Sequence, residues 1–336
     1  MERERPLPQL QSQTSAKIVN LSFLCAIFVC MIHVRWAPAT EFGETLVFLF
    51  KRAIGSVAVP FFFTVSGYFL ARRCEEPGWW EAAIRKRIRS LVVPYCVWQI
   101  VYALLWFAIE HRWSLRPGAF GLNPFVIPKL VPLWYLRTLM IFVVLSPLIV
   151  KALRRWGLGF LSVILLANLV YGVFTSLGYV TENMRLSELL FHTFSLLGLL
   201  SFSVGVYLAL HPMTLSRRAG NWCGVAALAM IVLRLSAYYF RITIPFDWET
   251  FNIATLLAFL WVHAPTTRLP DVLARSIFPI YLMHVIFYAL LRECTPLSGT
   301  LLGWEELFWG VGMSLLVSAF LHRFCPDVAR FVFGGR

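Results

Sequence analysis

Charge is scarce in this sequence. Only 14% of its 336 residues are Asp, Glu, Lys or Arg, against roughly 25% in soluble domains. Long polar stretches are missing too: the longest connections between apolar runs are about residues 73–88 and 111–129, which leaves no room for a separate soluble domain. No Walker loop, GxGxxG, HExxH or GxSxG motif occurs, so the phosphate cradles, zinc pairs and nucleophile elbows that those spacings build are excluded. The seven cysteines (25, 30, 74, 96, 223, 294 and 325) form no CxxC. Only Cys294 is expected toward the outer face, which argues against a disulfide framework and against a metal set. No internal repeat of the kind that builds inverted-repeat transporters is visible.

What fills the chain is apolar. It is 59% hydrophobic with a mean hydropathy of +0.72, and a helix needs roughly 20 such residues to cross about 30 Å of hydrocarbon. Ten windows qualify, at approximately 17–37, 54–72, 89–110, 130–150, 158–177, 188–210, 221–240, 250–264, 276–292 and 302–322; the eighth is short. The expected fold is therefore all-α, a polytopic membrane helix bundle of about ten spans. The net charge of +13 follows topology rather than a nucleic-acid footprint. Alternate loops hold nineteen of the thirty cations, from Lys17 through Arg72, Arg85, Arg154 and Arg275 to Arg336, while nine lie on the other side, among them Arg35, Lys51, Arg52 and Arg292. The positive-inside rule puts both termini in the cytoplasm. Residues 1–16 and 325–336 are expected as tails around a membrane domain at 17–324. Ala37-Pro38-Ala39 mimics a signal cleavage site, but the run before it is longer than a signal h-region, so the segment is expected to stay as a span.

Ionisable groups inside hydrocarbon cost about 2.5–3.5 kcal/mol for Arg on insertion scales and point to function by default. His33, in FVCMIHVRW, stands sixteen residues beyond Lys17, about 24 Å along a helix. It is read either as an interfacial, hydrogen-bonded imidazole or as a general base or acyl carrier at a wet site. Arg137, in PLWYLRTLM, is expected one turn inside the outer end of the fourth span, where it either snorkels or turns inward to hold an anion. His284, in FPIYLMHVIF, is mid-span and needs an interior partner. Arg234 reads as snorkelling; His192 and His263 are weaker cases near span ends. In VPFFFTVSGYFLARR, Pro60 favours a kink and Gly67 close helix packing. Arg85, Lys86, Arg87 and Arg89 crowd the inner start of the third span. They read either as topology and headgroup contacts or as partners for the phosphates of a nucleotide-like donor.

The segments LSFLCAIFVCMIHV, VPFFFTVSGYFL, KRIRSLVVPYCVW, PLWYLRTLMIFVVLSPLI and IFPIYLMHVIF, in that order, resemble the bacterial acyltransferase family 3 membrane proteins. The likeness is to their stand-alone branch, similar to the O-acetyltransferases of enterobacterial common antigen. It covers the first half of the chain and the ninth span; from about 156 to 270 only the apolar character matches. The resemblance implies a bacterial inner-membrane O-acyltransferase. Its donor would be acetyl-CoA or another acyl-CoA on the cytoplasmic side, and its acceptor a glycan or lipid-linked sugar hydroxyl on the outer side, with no metal. A homo-oligomer is compatible with this reading. It makes His33 the functional histidine, with Arg137 and His284 assisting, and gives the donor's phosphates to Arg85, Lys86, Arg87 and Arg89. One departure stands out: where the family carries an arginine in the first span, this chain has Ser22, which offers no charge. Two other readings stay open beside the enzyme, an exporter of polysaccharide or lipid-linked intermediates and a catalytically impaired family member.

Overall fold

A computed structural model describes residues 8–38, 40–110, 132–176, 195–240, 242, 248–295 and 303–335. The connection expected at 111–129, His192, and the loop cations Arg112, Arg116, Lys129, Arg185 and Arg241 lie outside the described residues. Among those described, thirteen α-helices and no strand are found, so the all-helical expectation holds. Each of the ten apolar windows has a helix in its described part. Among the described residues, seven helices are long and apolar enough to cross a bilayer, and Leu158–Phe174 and Leu196–Leu210 are shorter apolar helices.

Helix α1 spans Pro8–His33, beginning earlier than the expected tail boundary. The second crossing also starts earlier than hydropathy indicated. Thr40 caps helix α2 (Glu41–Phe48), its side chain accepting from the Gly43 N–H, and Glu41 and Glu44 favour that helix start electrostatically. A π-helical stretch (Leu49–Ile54) and a 3-10 turn (Gly55–Val57) then lead into α3 (Ala58–Ala71), so Glu41–Ala71 forms one long candidate span. Lys51 and Arg52 depress hydropathy in a window but do not interrupt the backbone. Helix α4 (Trp79–Arg87) likewise runs through a second π-helical stretch (Ile88–Val92) into α5 (Val93–Glu110). There follow α6 (Trp134–Trp156), α7 (Leu158–Ser176), α8 (Leu196–Leu210), α9 (Arg217–Tyr239), α10 (Trp248–His263), α11 (Asp271–Cys294), α12 (Trp304–Phe324) and α13 (Pro326–Val332).

The closest helix pair is α3 with α8. A Cβ on Gly67 would run into the Phe202 carbonyl, and one on Gly205 into the Thr64 carbonyl. Glycine on both sides lets the two backbones meet, the small-residue mode of packing used where hydrocarbon removes the hydrophobic drive between helices. On α12, Gly310 makes room for the Tyr288 ring of α11 in the same way.

Long-range contacts sort the helix ends into two levels. At one, Lys17 Nζ donates to Trp261 O at 3.1 Å, Asn20 Nδ2 to Thr267 O at 2.9 Å, and Ser276 to Ser318 through their hydroxyls at 3.0 Å. At the other, the Arg35 amide and the Arg292 guanidinium both bond Glu306. Helices α1 and α11 are thus parallel and α12 antiparallel to them. The segment expected as a C-terminal tail is instead docked. Trp98 Nε1 donates to Val332 O at 3.1 Å, and Phe333 is fully buried, with its ring stacked on Trp98 and His322. The tail therefore belongs to the bundle, and both described chain ends sit at the Lys17 level.

Candidate functional site

The end of α1 meets the middle of α11. His33 Nδ1 lies 2.7 Å from Val29 O and His284 Nδ1 lies 3.0 Å from Ile280 O, one helical turn back in each case. A carbonyl only accepts, so in both neutral imidazoles the Nδ1 carries the proton. His284 Nε2 is then a lone pair, and it stands 3.3 Å from His33 Nδ1. The His33 Nδ1–H is shared between Val29 O and His284 Nε2. That leaves His33 Nε2 as a lone pair with no hydrogen-bond partner among the described residues. The rings are 5.1 Å apart at 55°. His284 is 0% exposed and His33 half-buried, so one imidazole is sealed behind the other.

Further polar groups hold this turn in place, and sequence reading missed the central one. Glu306, on the first turn of α12, is 0% exposed. It accepts from Arg292 through both oxygens, at 2.6 Å each, and from the backbone amide of Arg35 at 2.9 Å. Such a fork is the strong form of an ion pair. Tyr288, between Arg292 and His284 along α11, donates its hydroxyl to Cys30 O at 3.1 Å. The chain is thereby tied on both sides of His33, to α11 before it at Cys30 and to α12 after it at Arg35. Lys51, on the π-helical stretch, is close enough to act electrostatically on His33 and Glu306.

The other residues singled out from the sequence separate. Arg137 shares no hydrogen bond with either imidazole. It is 3% exposed, and its electrostatic neighbour is Tyr95 of α5. Of its two readings, burial matches the inward one, for a topological reason: α6 starts deep, because Pro132 O takes the Tyr281 hydroxyl at 2.7 Å and Tyr281 is three residues before His284. Of the four clustered cations, Arg87 is half-buried and turned toward Tyr135, while Arg85, Lys86 and Arg89 are exposed. The rings of Tyr135 and Tyr281 meet edge-on at 5.8 Å, so the line from Arg87 to His284 runs through two tyrosines. Ser22 turns its hydroxyl back to Ile18 O at 2.7 Å. Arg234 reaches across to Arg52 O at 3.2 Å and covers the Phe48 ring. His263 pairs with Asn221 at 2.8 Å, far from the imidazole pair.

A multi-pass membrane helical bundle with an imidazole pair near one end, one ring buried and the other half-buried, is the class these observations define. The acyltransferase 3 family, described as "Acyltransferase domain", matches residues 20–323, and the chain belongs to it. Among curated proteins it is similar to the succinoglycan biosynthesis protein ExoH of Rhizobium meliloti (strain 1021), at 24% identity over 255 residues, covering 68% of this chain and 64% of that protein. A 63-residue stretch, 19% of this chain, is 45% identical to 9% of an amino-acid racemase of Enterococcus faecalis. The chain thus spans less than two thirds of either relative. No solved structure matches.

Proposed function

We propose that this protein is an inner-membrane O-acyltransferase of bacteria that moves an acyl group, acetyl in the simplest case, from cytoplasmic acyl-CoA to a sugar hydroxyl of a polysaccharide or lipid-linked glycan on the outer side. Family membership supports the reaction class, and the role for which the Rhizobium relative is named, succinoglycan biosynthesis, supports a glycan acceptor. The observation that carries the reading is the imidazole pair. His33 Nε2 is a free lone pair on the helix end that the cation distribution assigns to the outer side.

In this mechanism His33 Nε2 removes the acceptor hydroxyl's proton as the oxygen attacks the acyl carbonyl. The carbon–sulfur bond breaks, the new carbon–oxygen bond forms, and the proton on His33 passes to the departing thiolate. His284 Nε2, accepting from Nδ1–H, stabilises the imidazolium that forms. It fills the orienting place that a carboxylate holds in hydrolase triads, but as a neutral acceptor. Arg87, turned inward and without a hydrogen bond or ion pair among the described residues, is the best placed of the basic cluster for the donor's phosphates, with Arg85, Lys86 and Arg89 around its mouth. Arg137 sits between those levels, where a guanidinium serves an anionic or carbonyl oxygen on the way to His33.

The test is transfer of label from acetyl-CoA to glycan in membranes carrying the protein. Transfer that depends on His33 supports the reading; wild-type transfer by His33→Ala removes His33 from the mechanism.

A further inference from the structure

Beside the imidazole pair, on the same level, opens a cleft of about 290 Å³ lined by Trp36, Glu44, Phe48, Lys51, Arg52 and Tyr238, among others. Its walls come from four pieces of chain: the turn after His33, α2, the π-helical stretch and the end of α9. One wall is aromatic. Phe48 stacks on Tyr238 with ring centres 4.7 Å apart, and Arg234 lies over the Phe48 ring at 5.3 Å, supporting it from the side. Trp36 is fixed by its indole N–H to Met31 O at 3.0 Å and by an edge contact with Trp304.

The other wall is cationic. Lys51 and Arg52 make no side-chain hydrogen bond or ion pair among the described residues, and no carboxylate of the cleft lies within ion-pair distance of either. Glu306, the buried carboxylate within electrostatic reach of Lys51, already has its charge taken up by the Arg292 fork. Two facts say that these cations are not incidental. Adjacent Lys and Arg on the outer side oppose the positive-inside bias, which places nineteen of the thirty cations on the other side. They also sit on a π-helical stretch, a backbone form that is rare and concentrates at functional sites. A small-molecule site is expected to be concave and apolar with a few placed polar groups. This cleft fits that description in its lining, and its volume falls just short of the usual range of about 300–1,000 Å³, a size that suits one substituted sugar ring rather than a longer ligand.

We propose that this cleft is the acceptor's sugar subsite and selects a sugar bearing an anionic group. The ring lies against Phe48, Tyr238 and Trp36, and its carboxylate or phosphate lies between Lys51 and Arg52. The proposal deepens the acyltransferase reading, because it brings the acceptor's hydroxyls to the mouth of the His33 site. The anion has two chemical sources, a uronate of the glycan or the phosphate that joins a sugar to its lipid carrier, and the test separates them.

Full-length protein in nanodiscs of neutral phosphatidylcholine is titrated with glucose, glucuronic acid and glucose 1-phosphate, and binding is followed by saturation-transfer NMR. At least one anionic sugar is expected to bind tenfold or more tightly than glucose; whether it is the uronate or the phosphate names the source. In a Lys51→Met/Arg52→Gln variant the preference collapses while glucose binding persists, which also reports that the cleft is intact. Tyr238→Ala weakens all bound sugars together. Equal binding of the three sugars, a preference that survives the double substitution, or no binding by any of them overturns the proposal. Because binding is read without turnover, His33→Ala keeps the preference. Anion-selective binding in a protein with no acyl transfer would sink the enzyme reading and leave the cleft standing.

Discussion

An imidazole whose Nδ1 proton is committed to a carbonyl has one nitrogen left for chemistry, and for His33 that nitrogen is Nε2. Positioned general bases contribute about 10²–10⁴-fold, so His33→Ala is expected to lose acyl transfer by that factor with little change in thermal unfolding. His284→Ala removes only an acceptor for a charged donor, worth about 1.5–3 kcal/mol; labelled transfer should fall about 10- to 150-fold. Both histidines were legible because a titratable group in an apolar run needs a reason. Glu306 was not. It follows an outer loop, and Arg292 reads as an ordinary loop cation fourteen residues earlier; only the fold removes Glu306 from water and forks the two together. Breaking a buried pair on one side costs about 3–5 kcal/mol, whereas replacing both partners by apolar groups is often neutral. Glu306→Leu alone should therefore lower the unfolding temperature sharply. Adding Arg292→Met should restore it without restoring transfer, since the Arg35 amide that anchors the His33 turn still lacks its acceptor.

At the scale of elements, the ten apolar windows located the helices, and their errors have physical causes. Hydropathy averages over a window, so the cations at 51–52 hid the continuity of Glu41–Ala71. The depth at which α6 begins depends on Tyr281 meeting Pro132, a contact 149 residues apart that no local pattern carries. Gly67, read from sequence as a packing residue, proves to be half of a reciprocal interlock with Gly205. Inserting side-chain volume into a packed contact costs about 1–3 kcal/mol. Gly205→Val is expected to reach at least the upper end, because its obstacle is the Thr64 backbone carbonyl rather than a side chain that can turn away. Thermal unfolding in detergent measures this, and an unchanged midpoint would refute the interlock.

For the whole molecule, parallel α1 and α11 and antiparallel α12 place Cys294 and Cys325 at opposite levels, the first exposed and the second half-buried. With the cytoplasmic termini that the cations specify, a membrane-impermeant maleimide should label Cys294 in intact spheroplasts and reach Cys325 only after lysis; the reverse pattern would invert the topology and move His33 to the cytoplasmic face. The docking of Phe333 on Trp98 and His322 bears on how this architecture is assembled. Residues 326–333 are made after α12, yet they cover one end of α5, a helix made much earlier. That end of α5 stays uncovered until α13 has formed. The bundle is therefore not closed in the order in which its helices are synthesised: a late segment completes the packing of an early one.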